Sequence, residues 1–297
     1  MLLVGTAHHL EDLDRQYTIA EDVSVDAIAV GPGAGVTAYV LLDGRRVARI
    51  VGDGLEPLAE IPLGLAQSLA WSTTALLVGV EDARLARLDL ADATVSAVDS
   101  LLDVPGRATW ENPAGPTPDL RSIAVTDAGT WLVNVHVGGV WRSADGGRRW
   151  EGVVAPDDDV HELAAGSGGT VVAAAARGFG WSLDDGRTWS WTTEGLHASY
   201  CRAAAVGGDR VYVTASTGPS TRDGRLYRAR LGAPFEACAG GLPDSFPFNL
   251  DSGCLAADGD EVAVGTVDGR VWRSGDAGGH FEMLTERVGR VRVLRFA

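Results

Sequence analysis

The strongest constraint in this sequence is its period. Short apolar segments are centred near Ile28, Leu69, Ile123, Leu163, Ala204, Leu255 and Leu294, so the forward steps are 41, 54, 40, 41, 51 and 39 residues. A repeat of about 40 residues has room for four short strands, and such spacing predicts radial stacking of four-stranded sheets. No helical period competes over a useful length. Residues 120–154 show the internal order best: an inner strand Leu120 to Val125, a turn at Asp127-Ala-Gly, and a second strand Trp131 to Val137. A hairpin at Gly138-Gly139 follows, where positive φ angles favour glycine. Val140 to Ser143 and Arg149 to Val154 read as the third and fourth strands. Asp43-Gly44, Gly207-Gly208 and Asp268-Gly269 supply turns in other repeats.

Residues 24–62, 65–101, 119–155, 159–196, 199–243 and 249–288 form six such units, and fragments remain at both ends. Val291 to Phe296 reads as a lone inner strand, whereas Leu2 to Thr6 and Gln16 to Ile19 read as middle and outer strands that lack one. Joining 291–297 to 1–22 makes a seventh unit and leaves no open seam in the ring, since an unpaired strand edge is a liability. The expected fold is all-β: a single seven-bladed β-propeller domain over residues 1–297, closed by its C-terminal strand.

The chain carries a formal net charge of −15, and without any lysine its basic side chains other than histidine are all arginine. Nucleic acid needs a basic stripe that releases counterions, and arginines scattered among more numerous carboxylates do not form one. The same sign argues against anionic membranes. No stretch approaches the ~20 apolar residues that cross a bilayer, and Met-Leu-Leu-Val-Gly-Thr at the N-terminus has neither a basic leader nor an h-region. Cys201, Cys238 and Cys254 form no C-x-x-C pair and no disulfide framework, so they read as small buried hydrophobes. The expectation is a cytoplasmic monomer with no cofactor.

Three segments share one pattern: Ser143-Ala-Asp145-Gly-Gly147-Arg-Arg-Trp150, Ser182-Leu-Asp184-Asp-Gly186-Arg-Thr-Trp189 and Ser274-Gly-Asp276-Ala-Gly278-Gly-His-Phe281. Each fits S-x-D-x-G-x-T-W with small departures, the last with Phe for Trp. The pattern resembles the Asp-box, or BNR repeat, of sialidase-like and intracellular BNR-repeat propellers. Physically it is a turn between third and fourth strands in which short polar side chains accept amide hydrogen bonds, glycine takes a left-handed position and the aromatic packs between sheets. The resemblance implies that the boxes lie opposite the ligand face, so Asp145, Asp184 and Asp276 are structural. The blade whose third strand is Leu226 to Arg230 has no box.

Propellers bind ligands at the funnel where inner strands begin. Two residues before each inner-strand centre stand Asp26, Gln67, Arg121, His161, Arg202, Gly253 and Arg292, a comparable register because strand side chains repeat every two residues. Three arginines and a histidine against one aspartate describe a positive collar that selects carboxylate or phosphate. The competing reading pairs those arginines with Asp26, Glu162 or Asp251. The long connections Leu102 to Asp119 and Gly240 to Leu250, and the extended turn Gly218 to Arg225, favour the same face and make Trp110 and Phe246 candidate lids. His8, His9, His136 and His161 show no metal-ligand spacing, and no metal is expected.

Sialidases hold a substrate carboxylate with three arginines and use a tyrosine nucleophile with a glutamate partner; the resemblance would cast Arg121, Arg202, Arg292 and Tyr200 in such parts, but the Arg-Ile-Pro motif is absent. The preferred reading is a binding platform for a small anionic molecule or a protein partner. The alternative is a funnel-site enzyme, either a sialidase-like glycoside hydrolase or a lyase with His161 as base.

Overall fold

The computed structural model describes residues 1–31, 35–113 and 115–297. These residues form seven four-stranded antiparallel sheets with only three single-turn 3-10 helices among them. Blade 1 draws on both ends of the chain: its inner strand Val291–Phe296 pairs with Leu2–Thr6, followed by His9–Asp12 and Tyr17–Glu21. Val4 stands opposite Leu294 and Leu2 opposite Phe296. Blades 2 to 7 follow in order, with inner strands Val25–Ala29, Ala66–Ser72, Leu120–Val125, Val160–Ala165, Tyr200–Gly207 and Leu255–Asp258. Each inner strand packs against the next around the ring, and the last returns to the first. The molecule is a seven-bladed β-propeller closed by its C-terminal strand.

Two local expectations need correction. The reading of blade 1 passed over the strand His9–Asp12 and began the outer strand at Gln16; the real outer strand is Tyr17–Glu21. His-Leu-Glu-Asp has one apolar residue in four, and alternation cannot announce so short a strand. In blade 4 the second strand stops at Val135, and the turn uses Val137 at φ 46° before Gly139 at φ 79°, rather than the Gly138-Gly139 pair.

The core is a ring of seven apolar clusters, one in each space between blades, with no single centre. In the strand Leu2–Thr6, Leu3 joins the cluster shared with blade 2, whereas Leu2 and Val4 join the one shared with blade 7. Both faces of every sheet are therefore covered, which explains why second strands such as Ala38–Leu42, Ala75–Val80 and Val171–Ala175 are buried at every position. A sheet covered on both sides reads as a continuous apolar run and not as alternation.

The three Ser-x-Asp segments form the same turn. In blade 5, Ser182 Oγ accepts from the Gly186 amide at 2.9 Å and donates to Asp184 Oδ1 at 2.7 Å, and that oxygen accepts the Thr188 amide at 2.8 Å. Ser143 with Asp145 and Ser274 with Asp276 repeat these contacts. Such hydrogen bonds to the ionised side chain lower the Asp184 pKa to about 2. Each turn also locks onto the preceding repeat: Arg142 Nε donates to the Asp185 carbonyl at 2.8 Å, Arg228 Nη1 donates to the Ala277 carbonyl at 2.9 Å, and for the Ser143 turn Ser100 Oγ donates to the Gly147 carbonyl. Trp150, Trp189 and Phe281 extend the apolar clusters between the blades they join.

Deleting residues 291–297 removes Val291, Val293 and Leu294 from the core and opens the ring; the truncated chain is expected to lose its cooperative thermal transition, and an unchanged Tm would contradict the seam. Gly186 sits at φ 76°, and a Cβ there would overlap Leu132 Cδ2. Gly186→Ala should therefore cost about 2–4 kcal/mol from left-handed strain and overpacking, measured by denaturant unfolding.

Candidate functional site

Six inner strands open with a β-bulge, and the predicted collar residues occupy it. Asp26, Gln67, Arg121, His161 and Arg292 are each the unpaired extra residue between two paired neighbours, and in blade 6 Arg202 and Ala203 share a bulge opposite Thr214. A bulge breaks the alternation that would otherwise send every second side chain between blades, and re-aims the extra one. Asp26, Gln67, Arg121, Arg202 and Arg292 accordingly line one funnel of about 750 Å³, together with Asp251, Ser252 and Arg290. In blade 7 the corresponding Gly253 lies deeper, packed on the Arg292 carbonyl.

His161 does not join this wall. Its ring turns between blades 5 and 6 and is 1% exposed. Nδ1 faces the Cys201 carbonyl at 2.6 Å and so carries a proton, while Nε2 lies 3.4 Å from Asp159 Oδ2. The candidate lids fail for a related reason. Trp110 is buried against Trp141, their centroids 5.7 Å apart, and Phe246 meets Trp272 edge-on at 5.3 Å; both aromatics anchor long connections to the core.

The collar arginines divide. Arg292 pairs with Asp26 at 2.9 Å and donates to Ser24 Oγ. Arg202 grips Asp251 Oδ1 through Nε at 3.1 Å and Nη2 at 2.8 Å, and its Nη1 donates to the Tyr200 hydroxyl at 3.3 Å. Burial works against the Arg202 charge, but Asp251 and Tyr200 outweigh it and raise its pKa. Burial likewise raises the Asp26 carboxyl, although the Gly44 amide and Arg292 oppose the shift. Arg121 has neither kind of partner: its Nη1 is buried with no hydrogen bond, and burial followed by repulsion from Arg202 pushes its pKa down. An arginine stays charged even so. The same burial and the Arg121 charge hold His136 to a pKa of about 4.

Beneath the collar, side chains stitch neighbouring inner strands together. Ser68 Oγ donates to the Leu120 carbonyl at 2.8 Å, and Ser122 Oγ accepts the Leu163 amide at 3.1 Å. Glu162 reaches farther, accepting the Ala204 amide of blade 6 at 3.2 Å and the Gly253 amide of blade 7 at 3.0 Å. It is almost wholly buried, and desolvation raises its pKa to about 7. In the sequence Glu162 reads only as a possible arginine partner; a carboxylate next to Leu163 in the short strand Val160–Ala165 is the available signal. Among the described residues no group of three or more His, Cys, Asp or Glu side chains converges as a metal would require.

No family model matches this chain, and no curated protein matches its sequence. Solved structures do resemble it. A virginiamycin B lyase from Staphylococcus aureus superposes with a TM-score of 0.66 at 14% identity, covering 90% of this chain and 86% of that one. YCF48 bound to D1 peptide gives 0.57 at 12%, covering 95% and 84%. A GH74 xyloglucanase from Xanthomonas campestris gives 0.63 at 16% but covers only 46% of its own longer chain, against 94% of this one. These likenesses support the propeller fold, and the group includes both enzymes and binding proteins.

Folded Glu162 keeps its proton up to about pH 7, against 4.5 for the ordinary group. Its contribution to stability is thus full below 4.5 and lost as pH rises through 7, a change of roughly 3 kcal/mol. His136 runs the other way: its contribution is present above 6.5 and lost as pH falls towards 4. The two oppose each other in between, so the comparison is with Glu162→Gln, in which His136 is unchanged. Unfolding free energies at pH 5 and pH 8 should shift by about 3 kcal/mol in favour of the variant at the higher pH; parallel curves would remove Glu162 as the titrating group.

Proposed function

We propose that this chain is an Asp-box propeller acting as a binding platform, and that its funnel takes a small organic anion. The observation that carries the reading is Arg121, a guanidinium on the funnel wall with no ion-pair partner within 4 Å among the described residues, and whose Nη1 is buried without a hydrogen bond. A buried unsatisfied donor is costly, and a carboxylate or phosphate is the group that relieves that cost best, through charge-assisted and often bidentate hydrogen bonds. Arg202 and Arg292 shape the wall while tied to Asp251 and Asp26. A funnel of about 750 Å³ suits a ligand of metabolite size.

The Asp-box assignment rests on three turns with the same serine and aspartate contacts, each clasped to the blade before it. A platform is favoured over a sialidase-like hydrolase because two of the three arginines are already committed to carboxylates, and the Tyr200 hydroxyl meets Arg202 where a tyrosine nucleophile would need a glutamate.

The test is thermal denaturation with a panel of small carboxylic acids, sugar acids and phosphate esters. A binder at ten times its Kd should stabilise the fold by about 1.4 kcal/mol, a rise of about 2–4 °C in Tm for a chain of this size. Arg121→Gln should abolish the rise and Arg121→Lys should retain part of it. If no acid stabilises the protein and only proteins are captured in pull-downs, the platform serves a macromolecule and the funnel assignment falls.

A further inference from the structure

Below the funnel the axial channel narrows to a space of about 110 Å³ before opening on the far face. Arg121, Ser122, Glu162, Ser252 and Arg295 line this throat, and the Asp26–Arg292 pair enters it from above. Among the described residues, neither Arg121 nor Arg295 has a carboxylate oxygen within 4 Å; Arg295 donates only to the Leu294 carbonyl, at 2.7 Å. Two guanidinium groups from blades 4 and 1 thus share the throat with a single unpaired carboxylate, Glu162, close enough that both charges act on it.

The neutral groups add donors. Ser122 Oγ accepts from Leu163 and from Asn134, which leaves its own proton to give. The Gln67 amide lines the same space. Ser252 is committed, donating to the Arg202 carbonyl at 2.7 Å. Each Glu162 oxygen already accepts one backbone amide, so an acceptor that enters the throat meets donors on several sides. Liquid water occupies about 30 Å³ per molecule, so a space of about 110 Å³ has room for a small ion with two or three waters and is too small for the larger acids proposed for the funnel.

We propose that the throat binds one small inorganic monoanion, a halide or nitrate, between Arg121 and Arg295, and that the anion enters together with a proton taken up by Glu162. Charge then balances: one negative ion and one proton arrive, and the carboxylate becomes a neutral carboxyl that keeps both backbone hydrogen bonds. The charges that face Glu162 come from the neighbouring blades. Blade 1 gives Arg295 and blade 4 gives Arg121, both permanently charged; blade 7 gives Cys254, whose thiol burial pushes far up and keeps neutral. Blade 2 gives Asp26, tied to Arg292 of blade 1. Blades 3 and 6 present Gln67, Ser68 and Ala204, with Arg202 above them bound to Asp251. Among these groups Glu162, whose carboxyl burial raises to about 7, is the one that changes charge near neutrality. The throat shares Arg121 with the funnel, whereas Arg295 and Glu162 line the throat and the space below it but not the funnel.

The experiment titrates the folded protein with sodium bromide and with sodium nitrate at constant ionic strength set by sodium sulfate, following thermal stability and calorimetric heat from pH 5.5 to 8.5. Apparent affinity should fall towards tenfold per pH unit above pH 7 and level off below 6, with proton uptake approaching one per anion above pH 7 and vanishing below 6 when buffers of different ionisation enthalpy are compared. Glu162→Gln should bind without that pH dependence, and Arg295→Gln should weaken binding at least tenfold. Crystals grown in bromide should show an anomalous peak in the throat. Water alone at that position, or bromide binding indifferent to pH and to Arg295→Gln, overturns the proposal. Stabilisation by organic acids together with bromide binding indifferent to pH and to Arg295→Gln shows the funnel reading standing while this one falls.

Discussion

Everything in the molecule depends on the antiparallel pairing of Val291–Phe296 with Leu2–Thr6. Each blade is too thin to have a core of its own, and its apolar residues point to both sides, so it is stable only between two neighbours. Closure gives blades 1 and 7 their second neighbour and puts Leu2, Val4, Leu294 and Val291 out of water. Without that ladder two sheet faces and a strand edge would be left open at the seam.

The ring also sets the chemistry of its axis. Seven inner strands converge, and six begin with a bulge that interrupts pairing where the strands enter the channel. Except at His161, the extra residue is free of the inter-blade packing that makes the rest of each strand apolar, so polar side chains collect there at little cost to the core. One level deeper the same strands are held together by side chain to backbone hydrogen bonds, from Ser68, Ser122 and Glu162. Each such bond is worth about 1 kcal/mol net, and more is lost when its buried partner is left unsatisfied. Glu162 reaches two blades at once because the sheets draw closest at the axis.

Opposite the funnel, the serine and aspartate turns perform a different task. Their aspartates accept amides of the same turn through Oδ1, which holds them in the ionised form and commits that oxygen to the turn. The arginine of the preceding blade that caps a turn carbonyl, Arg142 or Arg228, converts a local motif into a contact between repeats. The acidic surface and the all-arginine base set are thereby partly accounted for: many guanidinium groups serve as planar clasps between carboxylates and backbone carbonyls.

Much of this was legible in the order of residues alone. Period, blade count, the split seventh blade and the turn motif are local patterns, and local patterns survive in a sequence because each is built from residues near one another. The collar was also legible as a register, since bulges recur at the same point of each repeat. What the chain could not disclose was which register positions face the axis. His161 and Arg121 hold equivalent places, yet one turns inward to the Cys201 carbonyl and the other stays unpaired on the funnel wall. Trp110 and Phe246 looked like lids because their loops are long, and only the packed neighbours Trp141 and Trp272 settle them in the core. The pairing of Arg202 with Asp251 and of Arg292 with Asp26, and the isolation of Arg121 and Arg295, join residues 49 to 266 positions apart or fail to join them. Sequence determines such repeats because strand and turn preferences act over a few residues; charge pairing and burial at the axis are decided by tertiary structure, because they depend on distances between chain segments that only the closed ring brings together.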